Sequence, residues 1–309
     1  MTSTTARPGD RAAAEVAAAT RVGARTWDLT VASAALGRPA AARIVLPADF
    51  ARAPGRTWPV LYLLHGPHED HTAWSRQTDV EELTVDAGLI LAMPDCGPAG
   101  LSSRWLDGSD YETFQLCELD GLLRRDYRAS GVRAVAGVST GGHGAVAHAA
   151  RHPGTFRAAA SFSGVLDTTF AGVPAALDAL LLRENLCPGT LWGDPVDRWE
   201  TWRSFNPAAR AGGLRGTALY VSCGSGAAPA MGGTELLPEV LESTLWPATH
   251  VFATALELRG ITATTHYYEG GRHEWAYWQR EFTAAWPMLS RALGLPEPSP
   301  VRADETTRR

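Results

Sequence analysis

Arg133-Ala-Val-Ala-Gly137-Val138-Ser139-Thr140-Gly141-Gly142-His143-Gly144-Ala145 is the stretch on which the fold turns. Small apolar residues suited to a buried strand run into Gly-Val-Ser-Thr-Gly, and an Ala-rich segment of helical composition follows. A strand that passes into a helix through so short a turn strains the serine between them. Glycine is then required two residues before and two residues after, where a side chain would collide with the neighbouring strand and helix; Gly137 and Gly141 stand there. The helix aims the positive end of its dipole at the space above the serine, and the backbone N–H of Thr140 is placed to donate to an oxyanion. Ser139 is the candidate nucleophile.

Working outward, residues 59–64, 89–94 and 133–138 read as core strands, and 27–33 with 40–46 as an early hairpin. Residues 111–127 carry Leu116, Leu119, Leu122 and Leu123 at helical spacing. Beyond the serine the expected order is a helix over 140–151, strands over 156–162 and 218–222, and a helical stretch over 235–258 interrupted by Pro247. A strand over 262–268 and a closing helix over 274–293 complete it. This βαβ alternation predicts an α/β fold, a mostly parallel sheet with helices on both faces. Residues 26–295 form the expected domain, with 167–215, rich in Pro, Trp and Arg, as a cap or lid insertion. Residues 1–25 are expected to be flexible and 296–309 disordered.

With 309 residues and 45% hydrophobic content the chain can bury one large core. The net charge of -5 and the lack of any basic cluster interleaved with aromatics give no nucleic-acid or membrane surface. The expected partners are small molecules, and the oligomeric state is open. All 28 basic residues are Arg, which excludes a Schiff-base lysine and a P-loop lysine. No cofactor is implied. Cys96, Cys117, Cys187 and Cys223 form no CxxC pair. With no apolar run of signal-peptide or membrane-span length, a soluble cytoplasmic protein is the expectation.

A nucleophilic serine needs a base, and in this strand order the partners follow it as acid and then histidine. His143, His148 and His152 lie on the helix leaving the turn, too close to swing back over the hydroxyl. His250 lies within a helix and His266 within a strand. His273 follows a strand and the turn Glu269-Gly-Gly-Arg272, where a loop lifts it above the sheet edge, so it is the candidate base. For the acid, the loop 223–234 holds no carboxylate. The next acids, Glu235, Glu239 and Glu242, share one helical face, and physics alone does not choose among them.

The motifs Val60-Leu-Tyr-Leu-Leu-His65-Gly66, Tyr111-Glu-Thr-Phe114, Gly137 to Gly141, Ser163-Gly-Val-Leu-Asp167, Tyr220-Val-Ser-Cys-Gly224, Leu237-Pro-Glu-Val-Leu-Glu242 and His273-Glu-Trp-Ala-Tyr-Trp278 resemble the esterase D group of α/β-hydrolases. Within it they are most similar to the antigen-85-type mycolyltransferases, over about 58–293. The resemblance implies an α/β-hydrolase fold and a Ser–Glu–His triad whose glutamate falls on Glu242. It implies transfer of an acyl group from an ester or thioester to water or to an alcohol or amine acceptor. It also puts Cys223 near the triad, as a buried thiol or an oxidation-sensitive one. The family's trehalose-reading Asp and Arg are replaced by His65 and His68, so the resemblance stops short of trehalose. Pro67 stands where the family draws its second oxyanion donor and has no N–H; the donor shifts to His68, or the hole is weaker. His65, Trp74, Cys223 and Trp275 are the candidate substrate-binding residues, among aromatics that also include Trp105, Trp192, Trp199, Trp202 and Trp278.

Two other readings compete. His65-Gly-Pro-His68-Glu-Asp70-His71 approaches the ligand spacing of dinuclear zinc hydrolases but has Gly66 where a histidine is needed. A hydrolase fold retained only for binding is the other, and filled triad positions argue against it.

Overall fold

A computed structural model describes residues 14–226 and 237–296. Its strands are β1 (Glu15–Arg21), β2 (Thr26–Ser33), β3 (Arg38–Val45), β4 (Trp58–Leu64), β5 (Ile90–Pro94), β6 (Ala129–Val138), β7 (Ala158–Phe162), β8 (Ala218–Gly224) and β9 (Thr264–Tyr268). Its α-helices are α1 (Ala73–Gln77), α2 (Val80–Leu83), α3 (Tyr111–Thr113), α4 (Asp120–Asp126), α5 (Ser139–Arg151), α6 (Val173–Arg183), α7 (Trp199–Phe205), α8 (Pro207–Arg210), α9 (Leu237–Glu257) and α10 (Trp275–Ala292). The strands join into one sheet of order β1-β2-β3-β5-β4-β6-β7-β8-β9. The first three run antiparallel to their neighbours, and β5 to β9 are mutually parallel, as an α/β-hydrolase requires.

The period-two alternation of the strands sends their side chains into two separate cores. Val60, Tyr62, Leu64 and Val135 pack with Ala145, Val146 and Ala149 of α5 and with Phe252 and Leu256 of α9. Leu61, Leu63, Ala134, Ala136 and Phe162 pack with Trp278, Phe282, Trp286 and Leu289 of α10 on the other face. The Ala and Gly of β6 let α5 approach closely. A Cβ on Gly137 would lie 2.2 Å from the Gly141 carbonyl oxygen, and one on Gly141 would lie 2.4 Å from the carbonyl oxygens of Leu64 and His65. Backbone atoms cannot yield as a flexible side chain can. Gly137→Ala is therefore expected to lower stability by roughly 3 kcal/mol, measurable by denaturant unfolding.

Three expectations need correction. The segment 1–25 is not uniformly flexible, because β1 pairs with β2 along Glu15 to Arg21. Glu-Val-Ala-Ala-Ala-Thr-Arg lacks apolar alternation because this edge strand is almost wholly exposed on both faces, held by backbone hydrogen bonds. Pro247 does not interrupt α9. Pro247 and Ser243, whose carbonyl loses its helical donor, both face solvent, so that carbonyl is not left buried without a partner. The helix expected over 111–127 contains a π-helical turn, Phe114–Leu119, between α3 and α4. That turn buries Gln115 and Glu118, which bond to His148 and to the Ala35 N–H. Residues 1–13, 227–236 and 297–309 lie outside the described residues, and so does the expected disordered tail apart from its first residue. Among the described residues no helix is long and apolar enough to cross a membrane.

Candidate active site

Ser139 opens α5 directly from the end of β6 with φ of 54°, a left-handed conformation that a non-glycine residue adopts only under local constraint. The first N–H groups of a helix have no helical acceptor, so they point at whatever sits above the serine. The Thr140 hydroxyl donates to the Ala99 carbonyl at 2.8 Å and fixes that first turn.

His273, on the loop between β9 and α10, accepts the Ser139 hydroxyl at Nε2, 2.7 Å away. Its Nδ1–H donates to Glu242 Oε2 at 3.0 Å. Glu242 is fully buried on α9. Its other oxygen, Oε1, accepts the Gly224 N–H at 2.6 Å and the Ser163 hydroxyl at 2.7 Å. Three donors around one buried carboxylate fix its direction. Ser163 sits at φ 50° just past β7, and its oxygen accepts the indole N–H of Trp278 at 3.2 Å. The Trp278 ring meets His273 edge to face at 4.9 Å. Glu235 and the side chain of Glu239 lie outside the described residues.

In the sequence Ser163 stands only as the first residue of one motif of the family resemblance, Ser163-Gly-Val-Leu-Asp167, with no role of its own assigned. Ser163→Ala is expected to cut kcat by roughly tenfold to a hundredfold with little change in KM, the size of one hydrogen bond to a charged group. Steady-state kinetics on an activated ester checks this.

The loop after β4 lies over the serine, with the Gly66 Cα so near that a Cβ there would come within 3.2 Å of the Ser139 Cβ. His65 is buried, donates from Nδ1 to the Gly66 carbonyl at 2.7 Å and accepts the Cys96 N–H at Nε2 at 3.0 Å. Both ring nitrogens are thus occupied within the protein, which corrects its assignment as a substrate or metal ligand; it shapes the loop. His68 has φ 60° and lines the cleft, its Nδ1 2.9 Å from Glu184 Oε1 on the segment just after α6. Asp70 accepts from Thr72, and His71 faces Asp28 at 3.8 Å. The four residues of the zinc-like string thus face separate partners. Among the described residues no group of three or more His, Cys, Asp or Glu converges as a metal site.

A cleft of about 490 Å³ opens over Ser139 and His273, walled by Pro67, Val138, Leu241, Trp275 and Trp278. Trp275 donates its indole N–H to Glu69 at 2.9 Å. Trp74 does not line it: it is buried, donates to the Leu64 carbonyl at 3.2 Å and supports Trp275 edge to face at 5.4 Å. Trp105, Trp192 and Trp202 are core residues, Trp192 stacking on Phe205 at 5.1 Å. Cys223 is likewise buried rather than substrate-facing. Burial and then the Glu242 charge push its thiol well up. A thiol reagent at neutral pH should modify the exposed Cys117 and Cys187 and spare Cys223, as peptide mapping would reveal.

His143 and His148 are anchors on α5, bonded at Nε2 to the Phe205 carbonyl (2.8 Å) and to Gln115 (2.9 Å). Desolvation pushes both down to about 4, so they are neutral at physiological pH.

Sheet order, strand-to-helix turn and cleft define the class as an α/β-hydrolase of the serine esterase or acyltransferase kind. Its family model, described as "Putative esterase", matches residues 33–289, and the chain belongs to that family. It is 30% identical over 255 residues to the "Diacylglycerol acyltransferase/mycolyltransferase Ag85B" of Mycolicibacterium smegmatis, covering 76% of this chain and 77% of that one. It is 32% identical over 263 residues to "Esterase Rv1288" of Mycobacterium tuberculosis, covering 80% of this chain and 55% of that longer protein. The crystal structure of MPT51 from Mycobacterium tuberculosis superposes with a TM-score of 0.69 at 21% identity, over 86% of this chain and 97% of that chain. The antigen-85-type resemblance therefore holds, and the protein is an enzyme of serine-dependent acyl transfer.

Proposed function

We propose that Ser139, His273 and Glu242 are the catalytic triad of an esterase or acyltransferase that works through an acyl-serine intermediate. The observation that carries this is the unbroken chain from the Ser139 hydroxyl through both nitrogens of His273 to a buried Glu242 whose second oxygen is already saturated with donors. With Nδ1–H committed to the carboxylate, Nε2 carries the lone pair that removes the serine proton as Oγ attacks the carbonyl. The tetrahedral oxyanion is met by the Thr140 N–H at the start of α5 and by the His68 N–H, the first amide after Gly66 because Pro67 has none. The imidazolium returns its proton to the leaving alcohol or thiol, and Glu242 stabilises that charged ring meanwhile. Water, or an alcohol or amine acceptor, then takes the acyl group by the reverse sequence. The natural substrate is a small-molecule ester or thioester, and the cytoplasm is the compartment we assign to the reaction; cell fractionation checks the latter.

Intact-protein mass spectrometry after rapid mixing with a panel of acyl esters and thioesters tests the intermediate. The protein should gain the mass of the acyl group, and an acceptor alcohol or amine that competes with water should speed its loss. Multiple turnovers with no mass gain under fast quench, and no effect of Ser139→Ala, would overturn the proposal.

A further inference from the structure

Arg183, the last residue of α6, lines the same cleft as Ser139 and His273. Among the described residues it makes no hydrogen bond or ion pair, and it is exposed. The other charged side chains of the cleft are already matched. Glu69 accepts Arg76 at 2.6 Å and the Trp275 indole at 2.9 Å. Glu274 accepts the fully buried Arg272 at 3.0 Å. Among the described residues Arg183 is thus left as the unmatched charge of the cleft, and it is positive. Nor is it loosely attached, because its neighbour Glu184, mostly buried, reaches His68 on the loop over the serine at 2.9 Å. That contact ties the end of α6 to the loop that walls the reacting centre, so the segment that carries Arg183 is anchored beside the cleft. An exposed cation lining the same cleft as the apolar Leu241, Trp275 and Trp278 suits a ligand with an apolar body and an anionic end.

We infer that Arg183 is a specificity residue and that the substrate is an ester or thioester carrying a carboxylate or phosphate beyond the reacting carbonyl. This rests on the triad reading above. The anion belongs either to the acyl part or to the leaving part, and matched substrates separate the two. One arm compares p-nitrophenyl hydrogen terephthalate with p-nitrophenyl methyl terephthalate, whose rigid ring keeps the carboxylate from attacking its own ester; the other compares 4-acetoxybenzoate with its methyl ester. We expect kcat/KM to favour the anionic member of at least one pair by about tenfold to a hundredfold, the range of one charge-assisted contact. That preference should shrink as ionic strength rises. It should fall toward unity in Arg183→Gln and invert in Arg183→Glu, with thermal unfolding of both variants checked alongside. Neutral esters turned over with no charge preference in either arm, or a preference that survives Arg183→Glu, would overturn the inference alone. No turnover of any ester together with no labelling by a fluorophosphonate would overturn the triad reading and this inference with it.

Discussion

Ser139→Ala should lower kcat by about five to six orders of magnitude with little effect on stability, leaving only the small acceleration over water that binding and the oxyanion donors supply. The size follows from the role: with Oγ gone, no acyl-enzyme can form, and water must attack directly in a site shaped for another nucleophile. Stability should hold because the alanine keeps the same Cβ, and the hydroxyl partner lost among the described residues is His273 Nε2. His273 then keeps its bond to Glu242, so the rest of the site stays in place. Progress curves at high enzyme concentration, read with Ser139→Ala and His273→Ala side by side, check this, and the two losses should be similar because the residues act as one unit.

Glu242→Gln should cost about four orders of magnitude in kcat while the protein stays folded. The amide oxygen can still accept the Gly224 N–H and the Ser163 hydroxyl, so the buried cage around it is satisfied. The amide nitrogen, however, meets Nδ1 of His273 as a donor. The ring must then carry its proton on Nε2, where it faces the Ser139 hydroxyl and can no longer accept from it. Glu242→Ala should lose activity as well and, leaving the Gly224 N–H, the Ser163 hydroxyl and the His273 Nδ1–H without their acceptor, should also unfold at distinctly lower denaturant. Comparing the two variants by kcat and by denaturant midpoint separates the tautomer effect from the packing effect.

How much of this was legible in the sequence depended on whether the constraint was local. Gly137 and Gly141 are required by atoms a few residues away and by the adjacent strand, so the turn and Ser139 could be read directly. His273 was legible because a glycine pair after a strand lifts the chain to the sheet edge. The candidate acid was not: the sequence spacing does not choose among Glu235, Glu239 and Glu242, and it is the docking of α9 against the end of β8 that gives Glu242 the Gly224 N–H. The family resemblance, not the spacing, pointed to Glu242. The role of Ser163, although it opens a family motif, and Arg183 altogether were missed because each gains meaning only from elements distant in sequence, namely Trp278 and Glu242 for the first and the loop around His68 for the second. The tryptophans misled for the opposite reason. Composition revealed their number, but only the packing on each side of the sheet separates Trp275 and Trp278, which line the cleft, from Trp74 and Trp192, which fill the core.

The most direct test of the central claim is site mapping with a fluorophosphonate, which reacts only with a serine activated by its neighbours. Proteolysis and tandem mass spectrometry of the labelled enzyme should find one modified residue, Ser139, and the label should disappear in His273→Ala. An adduct on a different residue, or an active enzyme that takes no label, would contradict the account.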